Sequence, residues 1–239
     1  MSPTTAEPVR PGRPPLRSVA RPRQARSEET LYRLLDAAEA LIEERGLADT
    51  SVPAIARRAG SSVGGFYGRF RDKNQLLRTL EERFFERLTN RLEEMARPER
   101  WEGASIAVIV RPWVRELVGT FRERRALIRV FLFRAAQDPG FMEEALRFRR
   151  RVSARLVGLL LTRRAEIRHP DPELAIDLGV QLAFGVMQQA VMFGEIRVGD
   201  RRLADWELVR ELTHNVLAHL GIPEDAGERS AGAEYRRQP

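Results

Sequence analysis

From residue 27 to residue 223 the apolar side chains fall three and four positions apart, and nowhere in that span do they alternate as a half-buried strand would. Leu31, Leu34, Leu35, Ala38, Leu41 and Ile42 set the pattern. Ser27 is the expected N-cap, Glu28 and Glu29 sit in the positively polarised first turn, and Gly46 is the expected stop. Short segments follow over residues 52–59 and 63–70, and Asp72 is placed to cap a longer one carrying Leu76, Leu77, Leu80, Phe84, Leu88, Leu92 and Met95. Beyond Pro98 the segments lengthen, over 105–123 with Pro112 inside, over 126–137, and from Pro139 to near residue 167. A fourth is capped by Asp171 with Pro172 first and reaches residue 195, and a last one spans 204–220 and ends at Gly221. The expectation is an all-α chain.

Composition narrows the function. The absence of cysteine excludes disulfides, thiolate metal sites and cysteine nucleophiles, and fits a cytoplasmic location. The apolar runs 106–110 and 157–161 are too short to cross a bilayer and no apolar stretch follows the N-terminal basic residues, so neither membrane partner nor signal peptide is expected. His214 and His219, five apart on a helix, point about 140° from each other and cannot share a metal, and His169 stands alone before Pro170. Glu93–Glu94 and Glu143–Glu144 are adjacent pairs on helices, expected to be solvated, and no phosphate-loop, dinucleotide or nucleophile-elbow pattern occurs. Neither catalysis nor a cofactor or metal is therefore expected.

The formal charge of +7 admits a polyanionic partner. Arg10, Arg13, Arg17, Arg21, Arg23 and Arg26 precede the first helical segment, opposed only by Glu7 and interspersed with six prolines. Residues 1–26 therefore read as a disordered basic arm available to DNA, and 224–239 as a polar tail.

Residues 50–73, TSVPAIARRAGSSVGGFYGRFRDK, carry the functional signal. Two short helices joined by a tight turn need a small residue where the backbones approach and one able to take positive φ at the turn; Ala56 and Gly60 supply these four residues apart. Ile55, Ala59 and Phe66 give the pair an apolar side, and Ser62 is placed to cap the second helix, the end that a DNA-reading helix presents to the major groove.

The layout Gly46, Thr50-Ser51-Val52, Ile55-Ala56, Ala59-Gly60, Gly64, Phe66-Tyr67, Phe70, Lys73 and Leu76-Leu77 resembles the N-terminal domain of the TetR family over about residues 27–77. The resemblance implies a helix-turn-helix DNA-binding domain at 27–75 and a larger helical effector-binding and dimerisation domain at 76–223. It implies a transcriptional repressor released from a near-palindromic operator by a small hydrophobic or amphipathic effector, with double-stranded DNA and a second copy of the chain as partners. The alternative is an architectural or effector-independent DNA-binding protein.

Within the resemblance, Tyr67 and Lys73 would hold phosphates, Lys73 being the only lysine among 41 basic residues. Arg57 and Arg58, with Thr50 or Ser51, would touch backbone, and Ser62, Val63, Gly64 and Gly65 would face the bases. Ser61 and Gly65 depart from the family, which usually has an apolar residue and a threonine-like one there. Dimerisation would fall to the last two long helices, in which Gly179 and Gly185 permit close approach and Leu208, Val209, Leu212, Val216 and Leu220 form a stripe. Candidates for the effector pocket, by residue type, are Trp113, Phe121, Phe131, Arg134, Phe148, Gln181, Met187 and Gln188.

Overall fold

The computed structural model describes residues 25–222, so residues 1–24 of the expected arm and all of the expected tail 224–239 lie outside the described residues, while Ala25 and Arg26 belong to the first helix. The described chain is all-α apart from one small hairpin: α1 (Ala25–Arg45), α2 (Val52–Arg58), α3 (Val63–Tyr67), α4 (Lys73–Met95), α5 (Ile106–Glu123), α6 (Arg125–Ala135), α7 (Pro139–Leu161), α8 (Pro172–Phe193) and α9 (Asp205–His219).

Local chemistry sets most boundaries. Asp72, Asp138 and Asp171 each accept a backbone N–H from the first turn of the helix they cap, at 2.8, 2.9 and 3.0 Å. Gly46 closes α1 at φ +81° with its N–H donated to the Ile42 carbonyl at 2.8 Å. Ser27 does not cap α1, because the helix is already formed at Ala25 and Ser27 lies inside it. Helix α7 stops at Leu161, short of residue 167, and a 3₁₀ turn over Arg164–Glu166 follows. The hairpin pairs β1 (Arg197–Val198) with β2 (Arg201–Arg202) around Gly199. Strands of two residues are too short to show alternation, which is why the pattern does not reveal them.

Two apolar cores result. The first gathers α1, α2, α3 and the start of α4 around Phe66 and Phe70, and takes Leu127, Val130 and Phe131 from α6 and Phe141 from α7. The second lies among the rest of α4, α5, α7, α8 and α9, around Trp113, Phe148 and Leu160. Helix α4 enters both, with Leu76, Leu77 and Leu80 in the first and Phe85 and Met95 in the second.

Helix α8 is long and apolar enough to cross a membrane by length and composition, but it packs against α5, α6, α7 and α9. The expected stripe of α9 is buried within this protomer: Leu208, Val209, Leu212 and Leu220 are in the second core, and Val216 faces Gly179. Exposed are a row on α8, Leu174, Leu178 and Leu182, together with Phe193 at the end of α8 and Trp206 on α9.

Candidate nucleic-acid interface and effector cavity

Helices α2 and α3 are short and depend on their caps and turn. Ser51 Oγ accepts the Ala54 N–H at 3.3 Å, and Ser62 Oγ accepts the Gly65 N–H at 2.9 Å. Between them Gly60 takes φ +60° while the Ser61 N–H reaches back to the Ala56 carbonyl at 2.9 Å. Phe66 and Phe70 are fully buried with ring centroids 5.3 Å apart, which pins the inner side of α3 to α1 and α4. Its outer side presents Ser62, Val63, Gly64 and Tyr67 to solvent, Val63 being 41% and Tyr67 56% exposed. A Val and a Tyr held outward on a five-residue helix contribute little to the fold, so this face is free for a partner.

The remaining DNA-contact candidates divide. Ser51 and Arg57 are exposed on α2 and its cap, on the solvent side. Arg58 is exposed too, but its guanidinium forks onto the Glu44 carboxylate at 2.5 and 2.6 Å. Thr50 is corrected: it is fully buried and its hydroxyl donates to the Gly46 carbonyl at 2.7 Å, so it locks the α1–α2 turn and offers no side-chain atom outward. Lys73 is half-buried and its ammonium donates to the Leu47 carbonyl at 2.9 Å, tying the start of α4 to the same turn. Burial holds its pKa below the ordinary lysine range. The two departures from the family are one feature, because a Cβ added at Gly65 would come within 2.5 Å of Ser61 Oγ.

A cavity of about 390 Å³ lies between α4, α5, α6, α7 and α8, within the usual span for small-molecule sites. Its walls are aromatic. Phe85 stacks on Phe148 at 4.6 Å, Phe84 meets Phe131 at 5.6 Å, and Phe121 stands edge-on to Phe184 at 6.0 Å. Of the pocket candidates, Trp113, Phe121, Phe131, Phe148 and Gln188 line this space. Three do not. Arg134 turns to α4, donating to Asn74 Oδ1 at 2.7 Å beside the Phe141 ring. Gln181, one step round the helix from Val180, faces solvent and donates to Asp177 at 3.1 Å. Met187 is packed into the core beside the cavity.

The reading from residue type missed Glu81, which lines the cavity and is 3% exposed. Its Oε1 meets no hydrogen-bond partner, nor does the Nε1 of Trp113 on the facing helix. Burial, then the neighbouring Glu144, push its pKa up to about 9, with Glu82 and Asp138 adding and Arg78 opposing, so at neutral pH the group is an un-ionised acid. A signal was present: Leu77, Glu81, Phe85 and Leu88 fall at i, i+4, i+8 and i+11, which puts a carboxyl in the middle of an apolar stripe. Elsewhere the His169 and His219 rings lie 5.2 Å apart, so His169 is not alone; among the described residues no His, Asp or Glu cluster of three is arranged for a metal.

The model of the bacterial regulatory proteins of the tetR family matches residues 34–80. The N-terminal domain belongs to the tetR family. Solved structures extend the likeness to the fold of the whole described chain. A protein assigned to the TetR-family transcriptional regulators from Mesorhizobium loti is 24% identical, with TM-score 0.67 over 83% of this chain and 98% of its own. A TetR transcription regulator from Haloarcula marismortui is 15% identical, with TM-score 0.61 over 81% and 97%. RolR, in complex with resorcinol, is 23% identical, with TM-score 0.53 over 82% and 90%. No match was found among curated protein sequences.

In this TetR fold the helix-turn-helix is bolted to the cavity by charge. Arg83 of α4, nearly buried, bonds Asp36 of α1 at 2.6 Å and also Glu39, which accepts in turn from Arg124 at 2.9 Å. Glu43 at the end of α1 accepts the free N–H groups of Ala126 and Leu127, at 3.1 and 3.0 Å, and so acts as the N-cap of α6 from another helix. Arg78 pairs with Asp138 at the head of α7. Helices α4 and α6 are thereby fastened to α1, and α7 is fastened to α4.

Proposed function

We propose that the protein is a homodimeric transcriptional regulator that represses from a near-palindromic operator in the cytoplasm and is released by a small hydrophobic or amphipathic effector. The observation that carries this reading is the course of α4. The helix begins at Lys73, tied to the α1–α2 turn, and from Glu81 to Leu92 it forms a wall of the cavity. Lys73 and Glu81, where the wall begins, are about 12 Å apart at the rise of an α-helix. An occupant that favours one placement of α4 therefore favours one spacing of the recognition helices, and its differential affinity sets the size of the response.

On this reading the helix-turn-helix domain ends near residue 75 and the effector and dimerisation domain continues to residue 223. Ser62, Val63, Gly64 and Gly65 face the bases, and Ser51, Arg57 and Tyr67 meet the phosphates, with Lys73 contributing its two remaining N–H groups. The exposed leucine row of α8 supports pairing with a second copy, since an apolar row left in water is the kind of surface a two-fold interface covers. That the structurally similar RolR is solved with resorcinol bound supports a ligand in the cavity.

Fluorescence anisotropy with the duplex upstream of the chain's own gene, against a scrambled duplex, tests the reading at several salt concentrations. Binding that weakens with salt while keeping its preference for the native duplex is expected. Equal binding to both duplexes at every salt concentration would overturn sequence-specific regulation.

A further inference from the structure

Two polar groups in the cavity lack partners, and they define what an occupant must bring. Among the wall residues Glu81 and Trp113 alone have buried side-chain nitrogen or oxygen atoms without a hydrogen bond. The other charged groups of the wall are satisfied or solvated: Glu116 of α5 is held by Arg91 at 2.5 Å, and Arg149 of α7 is half-exposed.

Three carboxylates lie near Glu81, Glu82 on its own helix and Asp138 and Glu144 at the start of α7; Asp138 is paired to Arg78, and Glu144 to Arg147 at 2.6 Å and Arg151 at 3.5 Å. The part of α6 that lines the cavity, Ile128 to Ala136, adds no charge to the wall. Seven aromatic side chains border the same space, and the faces of such rings favour a cation. An anion in the cavity would gain no counter-ion from Glu81 and would lie near the carboxylates of Glu82, Asp138 and Glu144, whereas a neutral apolar occupant would leave the Oε1 of Glu81 and the N–H of Trp113 unmet.

We propose that the cavity binds a lipophilic organic cation, with ionised Glu81 as its counter-ion and the Trp113 N–H donating to an oxygen of the ligand. This rests on the reading of the cavity as the effector site. Because Glu81 is un-ionised in the empty cavity, binding releases its proton. The complex holds carboxylate and cation, and the proton passes to the buffer.

A matched pair of probes isolates the charge. Choline phenyl ether and its carbon isostere, 3,3-dimethylbutyl phenyl ether, share shape and oxygen and differ in a quaternary nitrogen that cannot itself titrate; phenoxyacetate serves as the anion. Binding to the full chain is measured by calorimetry at pH 7 to 9, in two buffers of different ionisation enthalpy. The cation is expected to bind at least tenfold tighter than its isostere, with nearly one proton released at pH 7 and affinity rising close to tenfold per pH unit towards 9. Glu81→Gln is expected to abolish the preference and the proton release; proton counting on the unaltered chain keeps the test valid if that variant folds poorly.

Equal or tighter binding of the isostere or of phenoxyacetate overturns the cation assignment and leaves the effector cavity standing. Tight binding of the cation with no proton released overturns Glu81 as its counter-ion. No binding of any probe overturns the inference and counts against the cavity as an effector site, while anisotropy on the same sample reports independently whether DNA is still bound.

Discussion

The helix-turn-helix and the cavity wall are built from the same helices on opposite principles. Around α3 the polar side chains are paired: Thr50 on Gly46, Ser51 and Ser62 on their helices, Lys73 on Leu47, with Phe66 and Phe70 filling the space between. Around the cavity, large side chains face a void, and Glu81 and Trp113 are left unpaired. Satisfied groups and dense packing hold one geometry, whereas unsatisfied ones store free energy that a ligand can release. The contrast assigns rigidity to the part that must fit DNA and latitude to the part that must respond.

Truncation tests the contrast most strongly. Phe66→Ala is expected to cost about 3–5 kcal/mol in urea denaturation, while Leu117→Ala at the cavity edge costs less than about 2 kcal/mol, because it removes contacts from a side chain already facing empty space. Equal losses would break the comparison.

Glu81→Gln sharpens it through pH. The pKa of Glu81 is raised by folding from 4.5 to about 9, so its contribution is fully present below 4.5 and lost as pH rises through 9. The variant should gain about 1.4 kcal/mol on the unaltered chain for each pH unit between roughly 5 and 9. A stability gap constant over that window would show that Glu81 is ionised in the folded chain.

Lys73→Met should lower stability by about 1 kcal/mol through the lost bond to Leu47, a structural effect separable from any loss of DNA affinity by measuring both. The smallest effects fall on the surface arginines. Arg57→Ala should reduce the salt slope of DNA binding by about one, and Arg58→Ala by less, because Glu44 already neutralises Arg58. Neither should move the thermal midpoint. A larger change for Arg58→Ala would mean that DNA displaces Glu44.

The helix-turn-helix was legible because its determinants are local. The caps at Ser62 and Asp72 and the positive φ of Gly60 each lie within four residues of what they control. The cavity was legible only as residue types, since a void depends on how five helices converge. Arg134 and Gln181 have the right chemistry but face elsewhere, and Met187 fills space instead of lining it. The role expected of Thr50 failed for a related reason: a hydroxyl at a helix start reads the same whether it turns outward or back to Gly46. The ties from α1 to α4 and α6 span 44 to 84 positions and leave no periodic trace.

Lys73 has one more consequence. As the only lysine in the chain it carries the single side-chain amine, and its lowered pKa makes that amine nucleophilic closer to neutrality than an exposed lysine would be. An acylating reagent should therefore modify one internal position, at the junction between the recognition unit and the responding helix. Its rate of reaction would then follow the opening of that junction in the unaltered protein, without any engineered label.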